Sequence, residues 1–180
     1  MMTLDYQLTF RMLLEAMSCP GQRMTLPGST EESPFRAACT TILHTLLDAD
    51  TPVALAYPDT AAEHWLKTRC YAPVVPPKDA VFAVATDWSW KEHVFPIGTE
   101  EEPEKSTTLI IEIPTLQGGP NLILRGPGIQ STRTIAPEIG ADFLSFAQHN
   151  HALYPRGIDL ILCSGGDFLC LPRTTEIEEA

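Results

Sequence analysis

The chain is short of basic residues: 12 lysines and arginines stand against 23 aspartates and glutamates, a formal net charge of -11. A surface of that sign repels phosphodiester backbones and anionic lipid, which excludes general nucleic-acid binding and gives no basis for holding a membrane. No stretch approaches 18 uninterrupted apolar residues, and no basic leader followed by an apolar run opens the sequence. The expectation is a soluble, cytoplasmic protein.

Chemical signatures are also scarce. Five cysteines (Cys19, Cys39, Cys70, Cys163, Cys170) are odd in number, far apart and set mostly among apolar residues, which points to reduced core thiols rather than a disulfide framework. There is no G-x-S-x-G, HExxH or P-loop pattern and no evident Cys–His pairing. His149 and His151 are two apart, so a helix would not bring them to one face, and no metal site is expected. The four lysines, Lys67, Lys78, Lys91 and Lys105, lie in polar helix or loop contexts. None suits a Schiff base, which needs a desolvated amine, and no cofactor is expected.

What is present is enough apolar sequence for a sizeable core. Hydrophobic residues make up 44% of 180 and charged residues 19%, which predicts one domain over 1–180. Tyr6, Phe10, Leu13, Leu14 and Met17 recur at helical spacing until "SCPG" ends the run. A second helix is expected to start with Ser33 as cap and Pro34 at its first position, and to end near Asp48 to Asp50. "TPVALAY" reads as a buried strand and "PDTAAEHWLKTRC" as a helix in which Thr60 and Glu63 have capping-box spacing. "DAVFAVATD" is a further strand, "DWSWKEHVFPIG" a short helix, and "GTEEEPEKS" an acidic loop. "TTLIIEIPTL" and "NLILRGPGI" form a hairpin pattern around "QGGP", with Glu112 and Pro114 suggesting an edge strand. "APEIGADFLSFAQHNHALYP" carries Ile139, Phe143, Phe146 and Ala147 at helical spacing. The order predicts an α/β three-layer sandwich, a mixed sheet with helices on both faces.

The last segment, "YPRGIDLILCSGGDFLCLPRTT", sets one acid into an apolar hairpin between two arginines. A turn over Ser164 to Asp167 pairs Cys163 with Phe168, Ile161 with Cys170 and Asp159 with Pro172 on one face. Asp159 then sits at the open end, where a carboxylate must accept backbone N–H groups or an arginine, or else serve catalysis or a ligand. In the same register Arg173 and Arg156 lie on the opposite face, where two guanidinium groups would favour an anion. Cys163 and Cys170 fall diagonally, too far apart to bridge. "LRGPGIQSTR" adds Arg125 and Arg133 around a glycine-containing loop, readable as an anion cradle or as an ordinary turn. The residues identify no catalytic group.

Five of these segments, "FRMLLEAMSCPG", "DTPVALAYPD", "TTLIIEIPTLQGGPNLILRGPGI", "TIAPEI" and above all "GIDLILCSGGDFLCLPRTT", together resemble the PhnH family of the bacterial carbon–phosphorus lyase system. The resemblance implies phosphonate metabolism and the fold of pyridoxal-phosphate-dependent transferases without their cofactor. It implies a homodimer in isolation, for which Trp88 to Phe95 supply apolar surface. The implied partners are the G, I and J subunits and the L protein. In that family G, H and I with L convert ATP and methylphosphonate to ribose 1-methylphosphonate 5-triphosphate, and J then breaks the carbon–phosphorus bond. Gly157, Asp159, Pro172, Arg173, Thr174 and Thr175 match the family pattern, whereas the position of Arg156 does not require arginine. A stand-alone anion-binding enzyme and a non-catalytic scaffold are the alternatives.

Overall fold

The computed structural model describes residues 6–27, 31–86 and 94–180. Its centre is a mixed sheet of six strands in the order β1 (Met24–Thr25), β8 (Asp167–Leu171), β7 (Asp159–Ser164), β4 (Thr108–Glu112), β3 (Phe82–Thr86) and β2 (Val53–Leu55). Strands β2, β3, β4 and β7 are parallel, while β8 runs antiparallel to both β7 and β1. The β7–β8 hairpin closes through Gly165 and Gly166 with Cys163 opposite Phe168 and Ile161 opposite Cys170.

Both sheet faces are apolar, so both must be covered. Val84, Ile110, Ile161 and Phe168 face α1 (Tyr6–Ser18), α2 (Ala37–Leu46) and α3 (Thr60–Arg69). Ala85, Ile111, Leu162 and Leu169 face the other way, toward α4 (Phe143–Ala152) and a second, antiparallel sheet. That small sheet, ordered β6 (Arg133–Ile135), β5 (Leu122–Arg125) and β9 (Glu176–Glu179), covers with α4 a face for which helices alone were expected.

Several expectations from the sequence are corrected. The segments 107–116 and 121–129 are not a hairpin: β4 lies between β3 and β7, and β5 belongs to the small sheet, paired with β6 and β9. Glu112 therefore marks no edge. Helix α2 begins at Ala37 rather than Pro34, because Ser33 Oγ is engaged one turn earlier, accepting from Phe35 N and from the Thr40 hydroxyl. Helix α3 is capped by Asp59, whose Oδ1 accepts from Ala61 N and Ala62 N, so Thr60 is already inside the helix. On α1 the buried residues are Thr9, Leu13 and Ala16, while Tyr6, Phe10 and Leu14 are exposed; the helix packs through its smaller side chains. The helix expected over 87–98 falls mostly outside the described residues, as does most of the Trp88 to Phe95 surface.

The join between α4 and β7 is made by one side chain. Asn150 Nδ2 donates to Ile158 O at 2.9 Å and its Oδ1 accepts from Ile158 N at 2.8 Å, in a buried setting. Gly157 just before it holds φ +128°, and an added Cβ would come 2.9 Å from that same Oδ1. Replacing Asn150 by Ala leaves two buried backbone groups without partners. The expected loss is about 1–3 kcal/mol in urea melts. An unchanged midpoint would show that the join is held by packing alone.

Candidate functional site

The parallel strands have two ends, and the polar residues divide between them. At the amino end Asp159 opens β7, opposite Thr108 of β4. Strand β8 stops at Leu171 and the chain turns at Pro172, so Arg173 comes round to Asp159 instead of lying on the opposite face as a continued strand would put it. Asp159 Oδ1 accepts from Arg173 N at 2.8 Å and from Nε at 3.1 Å, and Oδ2 accepts from Nη2 at 2.6 Å. Arg173 Nη2 also donates to Ser106 Oγ, and Nη1 to Pro103 O at 2.8 Å and Pro155 O at 3.4 Å. An arginine has five N–H donors, and these contacts occupy them all. The side chains are 12% and 22% exposed, so the pair is screened little by water.

The other sequence candidates are scattered. Arg156, half-buried, makes no side-chain hydrogen bond among the described residues, and Arg173 has no donor left with which to join it. Arg125 pairs with Glu178 across β5 and β9 on the surface. Arg133 donates to Cys19 O at 2.9 Å and Pro20 O at 2.7 Å, tying β6 to the chain leaving α1. Between them Gly128 approaches protein backbone: a Cβ there would lie 1.9 Å from Ser18 O. Arg125, Arg133 and Arg173 thus do not converge on one point.

At the carboxyl end the sheet carries a polar row that the sequence reading passed over. Glu112 ends β4 opposite Thr86 and Cys163, and continuing the β2–β3 register sets Tyr57 level with Thr86. Alternation turns these side chains to the α2 face, like Ile110 and Cys163. Glu112 is 8% exposed, and its Oε1 accepts from Arg36 N, the N-cap residue of α2, at 2.6 Å. Arg36 Nη1 reaches back to Ile113 O at 3.0 Å. Burial pushes the Glu112 carboxyl above its ordinary range, opposed by the N–H and the charge of Arg36. Burial, then the charge of Glu112, raises the Tyr57 phenol. Burial and the neighbouring Cys163 keep the Cys39 thiol protonated. The one legible signal was an acid inside an otherwise apolar strand.

A histidine also lies beside a thiol, without activating it. His44 Nε2 lies 2.7 Å from Glu31 Oε2, and its Nδ1 lies 4.0 Å from Cys70 Sγ. The thiol is buried and its pKa is pushed up to about 12 by burial and by Glu31, so it stays a thiol at neutral pH. Among the described residues no group of three or more His, Cys, Asp or Glu could hold a metal ion, and no helix is long and apolar enough to cross a membrane.

Comparison with known proteins matches residues 1–178 to the family described as "Bacterial phosphonate metabolism protein (PhnH)". The chain is 38% identical over 182 residues to the alpha-D-ribose 1-methylphosphonate 5-triphosphate synthase subunit PhnH of Rhizobium meliloti (strain 1021), covering 97% of this chain and 90% of that protein. It is 33% identical over 173 residues to the "Putative C-P lyase subunit protein HtxG" of Stutzerimonas stutzeri, covering 95% and 85%.

The raised Glu112 carboxyl gives a signed expectation. The folded chain holds that proton to higher pH than the unfolded chain does. Stability from this residue is therefore present at or below the ordinary glutamate pKa and is lost as pH rises through the folded value. Glu112→Gln keeps an acceptor for Arg36 N and is expected to flatten that fall in urea melts between about pH 4 and 8. A variant destabilised equally at every pH would contradict it.

Proposed function

Since the chain belongs to the PhnH family of bacterial phosphonate metabolism proteins, we propose that it serves as an accessory subunit of a carbon–phosphorus lyase assembly, supplying structure and binding rather than the bond-breaking group. Membership of a multi-subunit complex in phosphonate metabolism follows from the relatives, which are subunits by name. The observation that carries the reading is the family match over residues 1–178.

The finer assignment rests on that premise. The chain acts with G and I partner subunits and the L protein in forming ribose 1-methylphosphonate 5-triphosphate from ATP and methylphosphonate, and with the J subunit in the assembled core. In isolation it is a homodimer, in the cytoplasm, with the fold of pyridoxal-phosphate-dependent transferases and no such cofactor. The arginine chemistry favours this over a stand-alone anion-binding enzyme. The donors of Arg173 are filled, Arg125 is paired with Glu178, and Arg133 holds two carbonyl groups. Asp159 and Arg173 fix the amino end of the sheet, and loss of either acts on activity through the fold.

Co-expression with the G, I, J and L proteins tests the assembly. The chain is expected to co-purify in fixed ratio with a tagged I subunit, and adenine release from ATP and methylphosphonate is expected to need it. Recovery of the chain on its own, with adenine release undiminished in its absence, would remove the proposal.

A further inference from the structure

Strand β9 has two inward positions and one apolar residue to fill them. Ile177 lies opposite Leu124 in the core and Glu178 turns outward to Arg125, so alternation sends the next side chain, Glu179, inward. In register Glu179 continues the row of Ile135 and Leu122 across β6 and β5, and both of those are buried. Where the row calls for a third apolar side chain the sequence has a carboxylate, and beside it the space is open. That space is a cavity of about 190 Å³ between the small sheet and the start of α4. Leu122, Pro137, Ile139, Phe143 and Leu144 form its walls, while Glu179, exposed at its mouth, is the one ionisable group among its described lining residues. An apolar cavity of about 150 Å³ already takes a benzene ring, so this one has room for a ring and a short chain.

Electrostatics select the sign of what enters. The Glu179 carboxylate makes no hydrogen bond or ion pair among the described residues. Glu138 and Asp142 interleave with the lining residues in sequence, no lysine or arginine lines the cavity, and the whole chain carries a formal charge of -11. The start of α4 lies on the same rim, but its first turn is partly engaged: Phe143 N donates to Gly140 O at 3.0 Å and Phe146 N to Asp142 O at 3.0 Å. An anion there meets Glu179 and the field of an acidic protein, whereas a cation gains from both. Apolar walls with one placed charge are the usual composition of a small-molecule pocket.

We propose that this cavity binds a small amphiphilic cation, a primary ammonium group carrying about six to eight carbons, with the hydrocarbon against Ile139, Phe143 and Leu144 and the ammonium on Glu179. The site stands independently of the assembly reading.

Titration of the full isolated chain followed by methyl NMR tests this with three probes that share a ring and a short chain: phenethylamine, phenethyl alcohol and phenylacetate. The amine is expected to bind with a Kd of about 1 mM, about threefold more tightly than the alcohol, which is the scale of one exposed ion pair. It is expected to move the methyl signals of Ile139 and Leu144. Glu179→Gln, a surface change, is expected to bring the amine to the level of the alcohol, and Leu144→Trp, which fills the cavity, to weaken both. No binding of the amine at about 10 mM, equal affinity for amine and alcohol, or tighter binding of phenylacetate would overturn the site. So would signal changes confined to methyl groups elsewhere, or unchanged discrimination in Glu179→Gln. Should Leu144→Trp fail to fold, the Glu179→Gln comparison and the methyl signals still decide.

Discussion

The guanidinium of Arg173 is the point on which the amino end of the sheet depends. Through Asp159 it holds the first residue of β7, through Ser106 Oγ and Pro103 O the segment entering β4, and through Pro155 O the turn leaving α4. Its own carbonyl lies 3.3 Å from His151 Nδ1 on α4. These segments are far apart in sequence and carry backbone polar groups that water does not freely reach. An arginine suits the place because its planar fork meets several acceptors at once, which a lysine cannot do. The energetic consequence is asymmetric. The pair adds modestly to stability when complete, but removing one member leaves the other charge partly buried and alone.

The same chemistry recurs at smaller scale. Arg133 and Arg36 each donate to consecutive carbonyl groups where the chain leaves a helix or a strand. Three of the few cations of this acidic protein are thus engaged by its own backbone and others by its carboxylates, which leaves little positive surface for nucleic acid or for a large polyanion. Against that background the carboxyl end differs in kind. There a buried acid takes the backbone N–H of Arg36 at the start of α2, and the guanidinium of that same residue returns to the carbonyl groups that follow β4. The amino end is saturated by its own side chains.

How much of this could be read from the sequence depended on the distance between partners. The β7–β8 register was legible because alternation and the Gly165–Gly166 turn lie within a dozen residues. The β2–α3–β3 order was legible for the same reason, although the cap fell on Asp59 instead of Thr60, a choice between adjacent residues that depends on backbone angles. Glu112 was misread as an edge marker because its partner, Arg36 N, is 76 residues away. The pairing of β5 with β9 was missed because "EIEE" has no apolar pattern; only Ile177 is buried, opposite Leu124. The helix α1 was legible from its spacing, but apolar side chains occupy both of its flanks, so periodicity alone did not say which one packs.

The central claim, that Asp159 and Arg173 form a structural clamp, is tested most directly by a double-mutant cycle in urea melts of Asp159→Ala, Arg173→Ala and the double variant, with adenine release by the reconstituted complex measured beside it. The account predicts a coupling of about 1.5 kcal/mol or more, and activity that falls only in proportion to the folded fraction. An Arg173→Ala protein as stable as the wild type, additive with Asp159→Ala and devoid of activity, would contradict it and make Arg173 a ligand-binding residue.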